Sequence, residues 1–169
     1  RDKLEKTIGF KFNRRNILVT FHPVTLEGNT SKIQFQEILK AVDQLEHTSI
    51  IFTMANSDTD GRIINKMIVE YVEMNSNKSV YYISLGKLAY LSILQYVDAI
   101  LGNSSSGIIE APSFKIGTIN IGDRQRGRIK SSSVIDCSPN REEILKAISV
   151  VYSNEFQTKL KTVHNPYEG

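Results

Sequence analysis

A chain of 169 residues is long enough to bury a core as one domain, and 40% hydrophobic with 23% charged residues is ordinary for a globular protein. A net charge of +3 is too mild to argue for nucleic acid, and no apolar run reaches the about 18 residues of a membrane span. The first six residues, Arg1-Asp2-Lys3-Leu4-Glu5-Lys6, lack an apolar signal core, and a start at Arg rather than Met is what a piece of a longer chain would have. The single Cys137 excludes an internal disulfide and fits a cytoplasmic setting.

In chain order, residues 1–9 predict a short charged helix and 16–21 the first strand, ended by His22-Pro23 because Pro donates nothing to a ladder. Ile33, Phe35, Ile38, Leu39, Val42 and Leu45 recur at helical spacing and predict a helix over 28–46. A second strand over 48–53 leads through a polar loop to a helix over 62–74. Then come a turn at 75–78, a strand over 79–83, a helix over 87–96, a strand over 97–101 and a helix over 106–114. Strands over 117–121 and 133–136 and helices over 139–151 and 154–163 complete the chain. Strands separated by helices of this length mean βαβ units, and so an α/β domain with a parallel sheet. In such a sheet ligands sit at the carboxyl ends of the strands, near the switch in strand order. His22, Asn56 and Asp58, Ser84 and Leu85, Gly102 to Ser106 and Gly122 to Arg128 should therefore converge in space.

The most informative stretch is Gly102-Asn103-Ser104-Ser105-Ser106-Gly107-Ile108-Ile109-Glu110-Ala111-Pro112. A strand, a turn of small residues and a helix aim free N–H groups and the positive end of a helix dipole at an anion. Ser104 and Ser105 add hydroxyl donors, and Gly102 and Gly107 are expected to let a phosphate approach the backbone. Glu110, an acceptor at neutral pH, suits a vicinal diol such as a ribose. A Ser-Ser-Gly turn also serves as a plain helix cap, but the neighbouring Glu and strand favour the ligand reading.

Other groups carry less. His22 can point at a ligand phosphate or carry a proton, or else simply cap its strand. His47 and His164 read as surface residues, and the Tyr81-Tyr82 pair as packing. The run from Asn56 to Gly61 imitates half a calcium loop, but the twelfth position is Met67 where a Glu is needed. That run reads instead as a helix-capping turn, with Asn56 or Asp58 within reach of a ligand hydroxyl. Arg124, Arg126, Arg128 and Lys130 form either a solvated basic loop or one that orders on phosphate. No His/Cys cluster suggests a metal, and neither a Walker lysine loop nor a Gly-x-Ser-x-Gly elbow occurs, so no cofactor is expected.

Four blocks together resemble one family: Val-Thr-Phe-His-Pro-Val-Thr (19–25), Met-Ala-Asn-Ser-Asp-Thr-Asp-Gly-Arg (54–62), Leu-Gly-Asn-Ser-Ser-Ser-Gly-Ile-Ile-Glu-Ala-Pro (101–112) and Asn-Ile-Gly-Asp-Arg-Gln-Arg-Gly-Arg (120–128). The family is that of the hydrolysing UDP-N-acetylglucosamine 2-epimerases of sialic-acid and related pathways. The resemblance spans nearly the whole chain but only the C-terminal half of such an enzyme. It implies a Rossmann-like three-layer domain, residues 1–169, that forms half of a two-domain glycosyltransferase B-type fold with the active site between the halves. The closing Asn165-Pro166-Tyr167-Glu168-Gly169 resembles the family's end.

By resemblance, Glu110 holds the ribose, Ser104 and Ser105 the diphosphate, and Leu85 and Tyr90 lie near the uracil. His22 approaches the phosphates or the sugar, Asn56 the sugar side, and Arg124 the leaving diphosphate. The implied partners are a UDP-sugar, either UDP-N-acetylglucosamine or a 6-deoxy-diacetamido analogue, the enzyme's own N-terminal domain, and a second copy in a homo-oligomer. The donor half of a B-type glycosyltransferase and a non-catalytic UDP-binding module stand as alternatives.

Overall fold

The computed structural model describes residues 1–24, 28–56 and 58–169. Thr25, at the end of the first family block, and Ser57, inside the polar loop, lie outside the described residues.

Six strands form one parallel sheet in the order β3-β2-β1-β4-β5-β6. They are β1 (Arg15–Thr20), β2 (Thr48–Thr53), β3 (Ser79–Tyr82), β4 (Ala99–Gly102), β5 (Gly117–Ile121) and β6 (Val134–Cys137). Helices α1 (Asp2–Ile8), α2 (Gly28–Asp43), α3 (Thr59–Met74), α4 (Gly86–Leu94), α5 (Ser106–Ile109), α6 (Arg141–Val151) and α7 (Asn154–Leu160) cover its two faces. Alternation along each strand divides the core. Ile17, Val19, Ile50, Phe52, Ala99 and Leu101 face α2, α3, α6 and α7, and Leu18, Ile51 and Ile100 face α1 and α4. Both faces being covered, the strands read as continuous apolar runs rather than as alternating ones. Phe35 of α2 is fully buried between Phe21 and Phe52, with ring centroids 5.5 and 6.4 Å away.

Several predicted boundaries move, each for a local reason. The strand read from 97 begins at Ala99, because the Val97 N–H still returns to the Ile93 carbonyl of α4 at 3.2 Å. Helix α3 starts three residues early, since the Asp58 side chain accepts from the Gly61 N–H at 2.6 Å and caps it. Asn140 caps α6 in the same way, leaving Pro139 outside. The predicted helix over 106–114 is two pieces. The single turn of α5 stops at Ile109, and a 3-10 turn spans Ala111–Phe114. Pro112 has no N–H to return to the Ile108 carbonyl, so the α-helical ladder ends there.

Candidate functional site

The chain order reverses between β1 and β4, and the polar groups gather at the carboxyl ends of these two strands. Asn103, directly after β4, is 1% exposed. Its side chain accepts from the His22 N–H at 2.7 Å and donates to the His22 carbonyl at 2.7 Å, pairing both backbone groups of a residue two places beyond the end of β1. Its own carbonyl accepts from Arg124 Nη1 and Gln125 Nε2, each at 3.0 Å. One buried amide thus joins the ends of β1, β4 and β5. A second clamp of the same kind stands two strands away: Asn65 of α3 accepts from the Ala55 N–H (2.8 Å) and donates to its carbonyl (3.1 Å), fixing the residue before Asn56.

His22 is half-buried, and its Nδ1 atom is buried without a hydrogen-bond partner among the described residues. Burial, and then the charge of Arg124, push its pKa below the ordinary 6.5 against the pull of Asp58, so the imidazole is neutral at neutral pH. Arg124 is itself pushed down by burial and by Arg128, yet a guanidinium remains charged.

Around the serine turn, the Ser104 hydroxyl accepts from the Ser106 N–H at 3.2 Å, which leaves its own proton to donate. The N–H groups of Ser104 and Ser105 make no hydrogen bond among the described residues. Helix α5 is one turn long, so what this turn could offer an anion is these separate donors rather than a developed macrodipole. Ser106 donates to Glu110 Oε2 at 2.7 Å, and the Tyr90 hydroxyl donates to Ser106 at 2.6 Å.

The two glycines serve packing, which corrects the expectation that they admit a phosphate. A Cβ on Gly102, whose φ is +147°, would stand 1.9 Å from the Thr20 carbonyl oxygen, so glycine lets β4 lie against β1. One on Gly107 would stand 2.5 Å from Thr118 Cγ2, against the surface of β5.

A cleft of about 390 Å³ opens here, lined by Thr20, His22, Thr53, Leu85, Tyr90, Ser104, Ser106 and Glu110 among others. Five of the predicted site residues therefore share one cleft: His22, Leu85, Tyr90, Ser104 and Glu110. Ser105, Arg124 and Asn56 do not line it: Arg124 bonds the Asn103 carbonyl and its charge acts on His22, and Asn56 is exposed on the loop after β2. Asn65 is an addition to the residues expected at the strand ends, while Asn103 and Ser106 were among them without a role of their own. The signal for the two asparagines was their type alone, a short carboxamide that can pair an N–H and a carbonyl of a single residue at once. A second cleft of about 400 Å³ lies between α1 and α4. Its lining includes Arg1, Leu4, Leu88, Gln95 and Tyr96, none of them a predicted site residue. Among the described residues no group of three His, Cys, Asp or Glu could hold a metal, and no helix is long and apolar enough to cross a membrane.

The strand order and the crevice it creates define a Rossmann-like α/β domain of the kind found in two-domain glycosyltransferase B-type folds. The chain belongs to the UDP-N-acetylglucosamine 2-epimerase family, whose model matches residues 1–169. A Campylobacter jejuni protein named GDP/UDP-N,N'-diacetylbacillosamine 2-epimerase (hydrolyzing) is 40% identical over 154 residues, covering 91% of this chain and 40% of that protein. This chain thus spans about two-fifths of the length of that curated relative. Two likenesses are of fold alone. The Methanocaldococcus jannaschii UDP-GlcNAc 2-epimerase in complex with UDP-GlcNAc and UDP superposes with a TM-score of 0.71 at 16% identity, over 100% of this chain and 45% of the other. The C-terminal domain of a group 1 glycosyl transferase from Francisella tularensis gives 0.63 at 9% identity, over 99% and 89%.

Proposed function

We propose that this chain forms the nucleotide-holding wall of a hydrolysing 2-epimerase that acts on a UDP-linked 2-acetamido sugar. The observation that carries the reading is the meeting, at the β1–β4 crevice, of unpaired N–H groups and a free hydroxyl proton at Ser104 and Ser105 with the carboxylate of Glu110. Anion donors beside a diol acceptor fit a nucleoside diphosphate. In this reading Ser104 and Ser105 hold the diphosphate, Glu110 accepts from the ribose and Leu85 lies against the uracil. Asn56 reaches toward the sugar, Arg124 faces the leaving diphosphate, and neutral His22 approaches the reacting groups.

The reaction proceeds by elimination and then hydration. A base removes the C2 proton while the C1–O bond to the diphosphate breaks, giving UDP and a glycal. Water then adds across the C1–C2 double bond, with the hydroxyl to C1 and a proton to the other face of C2, and the free 2-epimeric sugar leaves. The C2 proton is weakly acidic, so a placed base and a stabilised leaving group are both required. The relative's name favours a 6-deoxy-diacetamido sugar, with UDP-N-acetylglucosamine as the second substrate to try. The expected setting is cytoplasmic.

One wall of a cleft does not enclose a sugar. The partner domain of the two-domain fold completes the site, and proximity and orientation are worth about 7–11 kcal/mol of a barrier. The purified chain is therefore expected to bind UDP weakly and to turn nothing over, whereas the protein with its first domain releases UDP and free sugar. Both are incubated with each UDP-sugar in the absence of any acceptor. Sugar transfer that needs an acceptor would reassign the protein to the glycosyltransferases. Turnover by the chain alone would place the chemistry in this half, with His22 the first residue to substitute.

A further inference from the structure

Glu110 stands at the junction of α5 and the 3-10 turn, one helical turn beyond Ser106. Hydrogen-bond polarity along the contacts it makes is fixed by chemistry. A carboxylate only accepts, so the Ser106 hydroxyl spends its one proton on Glu110 Oε2, 2.7 Å away. With that proton committed, Ser106 Oγ accepts, and the Tyr90 hydroxyl, 2.6 Å away, must be the donor. Burial pushes the Tyr90 phenol up to about 12, which keeps it a donor at any pH where the protein works. The chain of contacts crosses from α4 to α5 and holds one carboxylate oxygen. The other, Oε1, has no hydrogen-bond partner among the described residues, and Glu110 lines the cleft.

We propose that Tyr90 and Ser106 are positioning residues that lock Oε2 of Glu110 to the protein and so present Oε1 alone to a ligand hydroxyl. The proposal rests on the reading of Glu110 as the ribose acceptor and adds the source of its selectivity. A free carboxylate can rotate to reach either hydroxyl of a diol or to turn to water, but one held by a two-step relay from a buried phenol is aimed. Aim is what separates a ribose from a 2′-deoxyribose, because a misaligned acceptor gains as little from the diol as from a single hydroxyl. The relay also removes Ser106 from the phosphate donors, leaving that task to Ser104 and Ser105. Tyr90, expected at the uracil, lines the cleft and turns its hydroxyl to Ser106.

The test is titration of the chain with UDP and 2′-deoxy-UDP by NMR or calorimetry. Unsubstituted protein should prefer UDP, and Tyr90→Phe, which keeps the ring and its packing, should lower that preference about 3- to 10-fold, the usual worth of one hydrogen bond. Ser106→Ala should lower it as much, Tyr90→Phe with Ser106→Ala no further, and Ser106→Thr, which retains the hydroxyl, should restore it. Glu110→Gln separates the two ideas. If it abolishes the preference while Tyr90→Phe leaves it intact, the relay is overturned and the ribose reading survives. If Glu110→Gln leaves the preference intact, or the chain binds no UDP, the ribose reading falls and the relay's purpose falls with it.

Discussion

His22 is held in its neutral form by position. Its backbone is pinned by Asn103, its ring is half-buried, and the Arg124 guanidinium outweighs the Asp58 carboxylate in its surroundings. Protonation is therefore harder in the folded protein than in the unfolded chain, where the imidazole titrates near 6.5. Folding stability from this group is complete above that pH and falls as pH drops from 6.5 toward the lower folded value. His22→Gln should flatten that part of a stability–pH profile measured by urea unfolding, and a slope that does not change would show that the ring is free to charge. Legibility at this scale followed sequence distance. Ser104 and Glu110 were readable because the strand, turn and helix that place them are contiguous. Asn103 was not, because its meaning lies in His22, 81 residues away, and nothing local distinguishes it from any polar turn residue.

Helix α5 shows how tightly an element can be specified by one contact. Gly107 lies so close to β5 that a Cβ would meet Thr118 Cγ2, while the Gly107 carbonyl accepts from Thr118 Oγ1 at 2.7 Å. Gly107→Ala should destabilise the protein by about 1–3 kcal/mol, the usual cost of overpacking. Thr118→Ser removes the offending methyl, retains the hydroxyl and should recover most of the loss; thermal unfolding of the two single variants and the double variant measures it. Existence and type of nearly every element were legible from hydrophobic period. The ends were not, because they depend on which of several polar residues near each terminus caps it, as Asp58 does for α3 and Asn140 for α6. The break at Pro112 was the exception: its ring carried the signal, yet the apolar Ile108, Ile109 and Ala111 around it made a single helix the simpler reading.

For the molecule as a whole, large apolar side chains are left bare at Ile83, which lines the cleft, and at Leu88 on α4, which lines the second cleft. Ile83 is 79% exposed and Leu88 83% exposed, one on either side of the β3–α4 junction. Bare apolar surface beside a cleft invites cover. Sedimentation of the chain should reveal concentration-dependent association that Ile83→Ser with Leu88→Ser reduces, and a strictly monomeric chain at high concentration would count against it. The sheet order carries a kinetic consequence as well. Strands β2 and β3 follow β1 closely in the chain, but β1 gains its other neighbour only with β4, where the first bond joins residues 82 apart. Closing so long a loop is slow relative to pairing of nearby segments. The β1–β2–β3 half can therefore assemble first, and until β4 docks His22 has no clamp and Glu110 no partner wall. In a refolding reaction followed by pulsed hydrogen exchange, the His22 amide should gain protection with Asn103 and later than the amides of β2. The cleft then comes into being only when the two halves of the sheet have joined, and ligand binding reports that junction.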